Sequence, residues 1–267
     1  MSWFSQGFGG VKKEEKRRAQ AANRVSRWWM PKPEPNKPSE AEIIFLDDEP
    51  FCFYEHNPKL TREINGQMKT GWKDNWFTCV EGVFKDDPGC AMCRNGIGKY
   101  YVGLLTILDC SEFEWEGKIY KNTRKLFAAK FKTLKYLKAK KRRMDGLAGK
   151  RFLVSRSDGD APSVGNDFEF IREEEMIKDE KTGLYVLADK QYWWKDKKEQ
   201  QEHPPMPFDY QKVAAPLSNE DLQTILAGGT PDSDPASFNF GENAKDGEAQ
   251  GEQGSGQSSP DSEASPY

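Results

Sequence analysis

The chain has 267 residues, of which 31% are charged and 36% hydrophobic, so it holds enough apolar material for one core of moderate size but not for order throughout. Its net charge of −3 is unevenly distributed: residues 229–267 carry eight acids and one base, a net of −7, and the first 228 residues carry the balance of +4. This distribution excludes a uniformly acidic protein. No apolar run approaches the roughly 18 residues of a membrane span, and the N-terminus lacks the apolar segment of a secretory signal. We therefore expect a cytosolic protein, in which the five cysteines are metal ligands or buried thiols.

Residues 1–25 predict a flexible basic N-terminal arm. Its residue types favour a helix, but it has no apolar stripe that would pack against a core. Its six basic residues are Lys12, Lys13, Lys16, Arg17, Arg18 and Arg24. Four prolines between residues 31 and 38 then predict an extended connector, since neither a helix nor a central strand persists through closely spaced prolines.

Residues 26–215 predict a mainly β core. The first two strands are expected at 41–46 and 51–54, on either side of a turn-forming segment. Further strand-like runs lie at 76–80, 100–108, 113–120, 125–131, 151–155 and 168–171. One basic helix, with its apolar positions at Phe131, Leu134 and Leu137, is expected between the last strands. Many short strands with one interposed helix predict an OB-like Greek-key barrel rather than a parallel α/β sheet.

The C-terminal part of the chain divides into two pieces. Residues 216–228 predict a short helix with Ser218 at its N-cap and Asp221 three residues later, a variant of the capping box. Residues 229–267 consist largely of Gly, Ser, Gln, Glu and Asp with almost no apolar side chains. Such a composition predicts a disordered acidic tail.

A zinc subdomain is predicted within the core, at about residues 52–99. Cys90 and Cys93 are separated by two residues, a spacing that lets both sulfurs face one ion. Cys79, at the end of an aromatic strand, offers a third ligand. The fourth is either His56, in a polar turn, or Cys52, which alternates with phenylalanines as a core thiol would. We favour His56 and predict a structural site.

Other interpretations of the cysteines remain open. A Cys-x-x-Cys pair by itself is also typical of redox proteins, and all five cysteines can be small buried hydrophobes; Cys110 is predicted to be one. A closed four-ligand site leaves no position for water and so would not be catalytic. Only two histidines are present, and no carboxylate pair stands in an apolar setting. The sequence therefore predicts a protein that is not an enzyme.

The segment 124–151 predicts contact with a polyanion. It holds twelve Lys or Arg and a single acid, Asp145, whereas a solvated helix face usually mixes the two signs. A membrane surface is the competing partner, but the large apolar face of an interfacial helix is missing. The residues expected to contact phosphates are Lys99, Arg124, Lys125, Lys130, Lys132, Lys135, Lys138, Lys140, Lys141, Arg142 and Arg143.

Aromatic side chains make up 12% of the chain, and several adjoin positive charge. Proteins that bind single strands need this pairing, because cations neutralise phosphates while flat rings stack on unpaired bases at about 1–3 kcal/mol per base. Alternation along a strand leaves one member of the Tyr100–Tyr101 pair on a surface. The candidate stacking rings are Trp72, Trp76, Tyr100, Tyr101, Phe131 and Tyr136, and any one of them can instead belong to the core.

Seven short blocks are spread over roughly residues 25–215. They are RWWM (27–30), EIIFLD (42–47), WFTC (76–79), CAMC (90–93), YYVG (100–103), KFKTLK (130–135) and PSVGNDFEF (162–170). Together they resemble the single-stranded DNA-binding proteins of tailed bacteriophages. The set His56, Cys79, Cys90 and Cys93 is also similar to the zinc subdomain inserted in the OB fold of the T-even phage helix-destabilising proteins.

The resemblance implies a three-part protein in the cytoplasm of a bacterial host. Its arm would mediate self-association, its core would coat single-stranded DNA during phage replication, recombination and repair, and its tail would contact replication and recombination proteins. From the charges alone, we also expect the tail to compete with DNA for the basic body. The alternative functions are a zinc-ribbon transcription or packaging factor that binds duplex DNA and a metal-dependent nuclease.

Overall fold

The computed structural model describes residues 25–35, 37–64, 67–71, 75–82, 89–115, 118–193 and 205–228. The predictions for residues 1–24, for Trp72 and for the tail at 229–267 lie outside these residues. Within them, antiparallel strands predominate and helices are few, so the prediction of a mainly β fold is confirmed. Nowhere in this part of the chain does a helix combine the length and apolar character needed to cross a bilayer.

Seven strands form the main sheet. They are β1 (Ser39–Phe45), β2 (Phe51–His56), β5 (Phe77–Thr78), β6 (Lys99–Asp109), β9 (Thr123–Lys130), β10 (Lys150–Arg156) and β11 (Asp167–Glu173). The other strands form three separate hairpins: β3 (Leu60–Ile64) with β4 (Gln67–Gly71), β7 (Phe113–Trp115) with β8 (Lys118–Tyr120), and β12 (Met176–Lys178) with β13 (Tyr185–Leu187). The described α-helices are α1 (Ala91–Arg94), α2 (Phe131–Met144), α3 (Tyr210–Val213) and α4 (Asn219–Leu226).

The sheet is organised around β6, the longest strand. One edge of β6 pairs with β9, while β2 and β1 share the other edge; the order is β11-β10-β1-β6-β2-β5. Within the described residues no ladder joins β9 to β11, so the sheet is not closed. The N-terminal segment lies along the free edge of β9 instead: Trp28 N donates to Leu126 O at 2.8 Å, and Leu126 N donates to Ser26 O at 2.9 Å.

Strand β6 is buried on both faces, which explains its nearly continuous apolar sequence. Leu105 and Ile107 point into the main core, where Trp28 and Met30 of the N-terminal segment also pack. Val102 and Leu104 point to the other face, which residues 208–214 cover. Segments from both ends of the described chain therefore pack on this one strand.

Helix α2 rests on the sheet through its apolar positions. Thr133 and Leu137 are buried, and Leu134 packs partly buried against the same core. Gly103 of β6 permits this contact, because a side-chain carbon there would lie only 2.7 Å from Leu134 Cδ2. Met144 packs against the same core at the end of the helix, and most of the charged side chains face solvent.

A buried polar cluster ties the C-terminal segment to the sheet. The carboxylate of Asp47 accepts hydrogen bonds from Thr106 N at 3.1 Å and from the Tyr210 hydroxyl. The Thr106 hydroxyl in turn lies 2.7 Å from the Tyr210 hydroxyl and accepts from Phe208 N at 2.9 Å. Burial raises the pKa of Asp47 to about 7, against an ordinary value of 3.8, although the hydrogen bonds oppose the shift.

Candidate functional site

Four side chains predicted as metal ligands come together at one end of the sheet. Their ligand atoms all lie within 4.8 Å of one another: those of His56, Cys79, Cys90 and Cys93. His56 Nε2 is 3.4 Å from Cys90 Sγ and 3.6 Å from Cys93 Sγ, and Cys79 Sγ is 3.7 Å from Cys93 Sγ.

Three of these distances fit the edges of a coordination tetrahedron. Zinc bonds of about 2.3 Å to sulfur and about 2.0–2.1 Å to nitrogen require sulfur atoms about 3.8 Å apart and sulfur–nitrogen distances of about 3.5 Å. The observed separations of 3.4, 3.6 and 3.7 Å agree with that requirement. The cluster can hold a metal ion, and its donor set of one imidazole and three thiols is consistent with zinc.

The imidazole of His56 is held in the orientation that a ligand needs. Its Nδ1 lies 3.2 Å from Gly98 O, so the proton on Nδ1 is donated to that carbonyl and Nε2 faces the cysteines. The residue is fully buried, and burial lowers its pKa from the ordinary 6.5. The neutral imidazole is the form that binds a metal.

The pKa values of two of the clustered thiols, Cys79 and Cys93, are raised, which favours their protonated form when no metal is present. Burial raises the pKa of Cys79, and burial together with the neighbouring thiols raises the pKa of Cys93 to about 12. A metal ion must displace these protons, since the thiolate is the ligand. Metal binding at this site therefore releases protons, and acid weakens it.

Local structure and a distant helix position the cysteines. Cys79 N donates to Tyr54 O at 2.8 Å, which ties the third ligand to β2, and Cys90 immediately precedes helix α1. The side chain of Asn219 in α4 accepts from Ala91 N at 2.7 Å and donates to Gly89 O at 3.1 Å. Leu222 and Ile225 of helix α4, and Leu217 just before the helix, are also buried against the cysteine segment.

The structure places His56, and not Cys52, beside the three clustered cysteines. The two residues lie on the same face of β2, but they are four positions apart, about 13 Å along the strand, so Cys52 cannot reach the other cysteines. Cys52 is exposed, and the prediction that it is a core thiol is wrong. The prediction failed because the covered face of β2 at this point is the one that carries Phe51 and Phe53, which pack against the C-terminal segment. The face that carries Cys52 is open to solvent. Cys110 is buried, as expected.

Three rings form a row on the face of β2 and β6 that carries Cys52. The centre of the Tyr54 ring lies 5.4 Å from that of Tyr101, which lies 6.3 Å from that of Phe131 at the start of α2. We call these three residues the aromatic row. Tyr54 is 50% exposed and Phe131 is 60% exposed. Sequence reasoning missed Tyr54, although strand alternation between Phe53 and Glu55 could have indicated it.

Cations flank the aromatic row. Lys99 Nζ lies 5.3 Å from the centre of the Tyr54 ring, and Lys135 Nζ lies 5.8 Å from that of Phe131. Farther along α2, Lys140 Nζ lies 5.4 Å from the Tyr136 ring. The other predicted phosphate contacts on this helix are Lys132, Lys138, Lys141, Arg142 and Arg143, of which Lys141 pairs with Glu49.

Two predicted phosphate contacts are partly buried and make contacts within the protein, apart from this surface. Arg124 stacks its guanidinium 4.1 Å from the centre of the Phe208 ring and donates to Met206 O at 2.9 Å. Lys125 forms an ion pair with Asp109 at 2.7 Å. These contacts tie the beginning of β9 to residues 206–208 and to β6.

Three further predicted residues lie on the other face of β6. Trp76, Tyr100 and Lys130 line a groove together with the N-terminal segment. Tyr100 and Tyr101 are adjacent in a strand, so their side chains point to opposite faces. The candidate residues are thus divided between the aromatic row and this groove.

Comparison with known proteins yields no match. No model of a protein family matches the chain, and no curated protein matches it. The resemblance to phage single-strand-binding proteins therefore stays a prediction, and the case for a function rests on the geometry of the described residues.

Proposed function

We propose that this protein binds single-stranded DNA without sequence specificity and without catalysing a reaction. The aromatic row carries the proposal, because three neighbouring rings are laid out beside helix α2. Seven of the 14 residues of that helix are Lys or Arg and none is acidic. A single strand offers both unpaired bases for the rings and phosphates for the cations.

The expected energetics follow from this arrangement. Each phosphate neutralised by a lysine or arginine releases counterions, so the affinity falls as salt rises. Each base that stacks on a ring contributes about 1–3 kcal/mol, which depends little on salt or on the identity of the base. A paired duplex hides its bases and gains only the first contribution.

We also propose that the core is an OB-like barrel. Taken through β6 to its partner β9, the strand order is β11-β10-β1-β6-β9, and helix α2 connects β9 to β10. A five-stranded, partly open Greek-key barrel is a recurrent platform for oligonucleotides. Residues 26–30 would fill the gap between β9 and β11, since Trp28 bonds to β9 and Met30 N donates to Ser163 O near β11.

In this proposal the metal is a structural zinc ion. His56, Cys79, Cys90 and Cys93 would occupy all four positions of a tetrahedral ion, leaving none for water. The ion would join the end of β2 to α1 and so fix the end of the sheet at which Tyr54 begins the aromatic row, with Lys99 beside it.

The proposal extends to the parts of the chain outside the described residues through the resemblance alone. The basic arm at 1–25 would mediate self-association on DNA, and the acidic tail at 229–267 would contact replication and recombination proteins. Such a protein would work in the cytoplasm of a bacterial host during phage replication, recombination and repair.

A binding titration tests the proposed function. Labelled oligo-dT and a duplex of equal length are titrated with the protein at several salt concentrations, and we expect tighter binding of oligo-dT with a steep salt dependence. Lys135→Ala combined with Lys138→Ala should reduce the slope of log K against log salt by about two, since each lysine contacts a phosphate. Lys178→Ala, an exposed position on β12, serves as the control.

Other results would contradict the proposal. Equal or tighter binding of the duplex would favour a duplex-binding zinc-ribbon factor. Loss of the oligonucleotide during incubation with Mg²⁺ would indicate a nuclease. An unchanged salt slope in the double variant would remove α2 from the interface.

A further inference from the structure

A groove of about 430 Å³ lies on the face of the sheet opposite to the aromatic row. Aromatic residues from three separate segments line it: Trp28 and Trp29 from the N-terminal segment, Trp76 from the approach to β5, and Tyr100 from β6. Arg27, Glu55 and Lys130 contribute the main charged side chains. Trp29 is 60% exposed, although Trp28 beside it is buried in the core.

Strand register places the groove and the aromatic row back to back. Glu55 pairs with Tyr100, and Tyr54 pairs with Tyr101. Paired residues of antiparallel strands share a face, and successive residues alternate between faces. Tyr100 therefore lies on one face of the sheet, and Tyr54 and Tyr101 lie on the other. A base that stacks in the groove cannot reach the rings of the aromatic row.

The charges in the groove suit a nucleotide. Arg27 makes a bidentate ion pair with Glu55, at 2.9 and 2.6 Å, and its guanidinium lies 4.3 Å from the centre of the Trp76 ring. Burial and, after it, the charge of Glu55 raise the pKa of the Tyr100 hydroxyl. Because the only carboxylate among the lining residues is neutralised by these contacts, it does not repel a phosphate.

Arg27 also has an unsatisfied donor. Its side chain is 10% exposed, and its buried Nε has no hydrogen-bond partner. A buried donor without an acceptor is costly, and an ordered water beside it would relieve that cost.

Lys130 stands where the two faces meet. Its Nζ lies 4.7 Å from the centre of the Tyr100 ring, at the groove, while the next residue, Phe131, belongs to the aromatic row on the other side. Lys130 is exposed at the junction of β9 and α2. A strand of DNA that crosses this junction passes over a cation.

We propose that the groove is a second base-binding subsite and that one DNA strand occupies both faces of the sheet by turning over Lys130. This inference rests on the proposed function, because it assigns a second part of the path of the same ligand. Unpaired bases would stack on Trp29, Trp76 or Tyr100, and the phosphate between the two subsites would lie on Lys130.

Three matched variants test the subsite by fluorescence anisotropy of labelled oligo-dT. Trp29→Ala removes an exposed ring of the groove, Phe131→Ala removes a ring of the aromatic row, and Tyr185→Ala removes a ring that is 61% exposed on the remote strand β13. We expect Trp29→Ala to weaken binding by roughly five- to 150-fold, the range of base–aromatic stacking, without a change in the salt slope. Tyr185→Ala should bind as the unmodified protein does.

The length of the oligonucleotide gives a second readout. In a series of oligo-dT lengths, the Trp29→Ala and Phe131→Ala losses should multiply in the double variant on long strands, because both rings contact one strand. The shortest strands that bind should respond to only one of the two variants. Photo-crosslinking of halogenated oligo-dT to the unmodified protein should label the segments that carry Trp29, Trp76 or Tyr100 as well as the aromatic row.

The possible failures are distinguishable. If the unmodified protein does not bind oligo-dT, the proposed function fails, and the subsite fails with it. If Phe131→Ala weakens binding while Trp29→Ala behaves like Tyr185→Ala, and crosslinks appear only at the aromatic row, the proposed function stands and the second subsite is overturned.

Discussion

At the scale of the residue, Cys90 and Cys52 differ in burial and in their distance from His56. Cys90 is fully buried, with its Sγ 3.4 Å from His56 Nε2. Cys52 lies on the same strand as His56 but is exposed and about 13 Å away along that strand. The chain therefore supplies its own control for any test of the metal site.

Replacing a ligand should remove the metal. We expect one zinc per chain in the purified protein and in Cys52→Ser, but none in Cys90→Ser or His56→Ala, as measured by elemental analysis. Loss of the ion should also lower the free energy of unfolding by several kcal/mol, because a structural metal binds only the folded site. Retention of zinc by Cys90→Ser would contradict the assignment of the ligands.

Asp47 gives the protein a pH dependence of its own. Its pKa is raised to about 7 in the folded state by burial, while in the unfolded chain it titrates near 3.8. The folded state therefore binds the proton more tightly, and stability falls as the pH rises between these two values. The carboxylate is hydrogen-bonded to Thr106 and Tyr210, so its ionisation acts on the contacts that hold the C-terminal segment to the sheet.

Asp47→Asn should abolish this contribution. The amide oxygen can still accept from Thr106 N and the Tyr210 hydroxyl, but the side chain cannot ionise. We expect the variant to match the unmodified protein at about pH 4 and to exceed its free energy of unfolding by roughly 3–5 kcal/mol above pH 7. Urea denaturation across this pH range measures the difference, and parallel pH profiles would contradict the prediction.

At the scale of the element, helix α4 shows how a distant segment supports the metal centre. Asn219 bonds to the backbone on both sides of Cys90, and Leu222 and Ile225 are buried beside it. Ser218 caps the N-terminus of this helix, because its hydroxyl accepts from Asp221 N at 3.1 Å. Folding of the cysteine segment and docking of α4 are consequently linked.

Removal of the metal should loosen α4. With a chelator present, or in Asn219→Ala, we expect backbone amides of residues 219–228 to exchange hydrogen roughly ten- to hundredfold faster, because about two hydrogen bonds of about 1 kcal/mol each are lost. Gln223→Ala changes an exposed position of the same helix and is the matched control. Unchanged exchange in Asn219→Ala would show that the two contacts contribute nothing to docking.

At the scale of the whole molecule, charge is distributed unevenly along the chain. Residues 229–267 carry a net of −7, and the first 228 residues carry the balance of +4. A tethered polyanion acts at a high effective concentration on any cationic surface within its reach. Helix α2, with seven Lys or Arg and no acid, is the most cationic of the described helices.

Deletion of residues 229–267 should therefore tighten binding to oligo-dT. The gain should be largest at low salt, where the competing tail is least screened, and it should vanish as salt rises. A chain of equal length in which the eight acids of this segment are replaced by serine or asparagine separates charge from bulk. Unchanged or weaker binding after deletion would show that the tail does not compete.

Local patterns were enough to predict much of the candidate site. The Cys-x-x-Cys spacing and the apolar alternation of the strands depend on neighbouring residues, so they predicted the ligands and the mainly β fold. Arg124 and Lys125 could not be placed in this way. A run of cations looks uniform in sequence, although its first two residues lie in the partly covered beginning of β9. Lys130 ends that strand, seven cations lie on helix α2, and the last two lie in β10.

The amino-acid sequence by itself determined which residues alternate and which share a face, because the period of a strand is a local property of the backbone. Only the tertiary structure decided which face is covered. Residues 208–214 pack over Val102 and Leu104, and residues 26–30 run beside β9, so Tyr100 ends in a groove and Tyr101 in an open row. Those covering segments come from opposite ends of the described chain, and the side on which they pack depends on contacts between residues far apart in sequence.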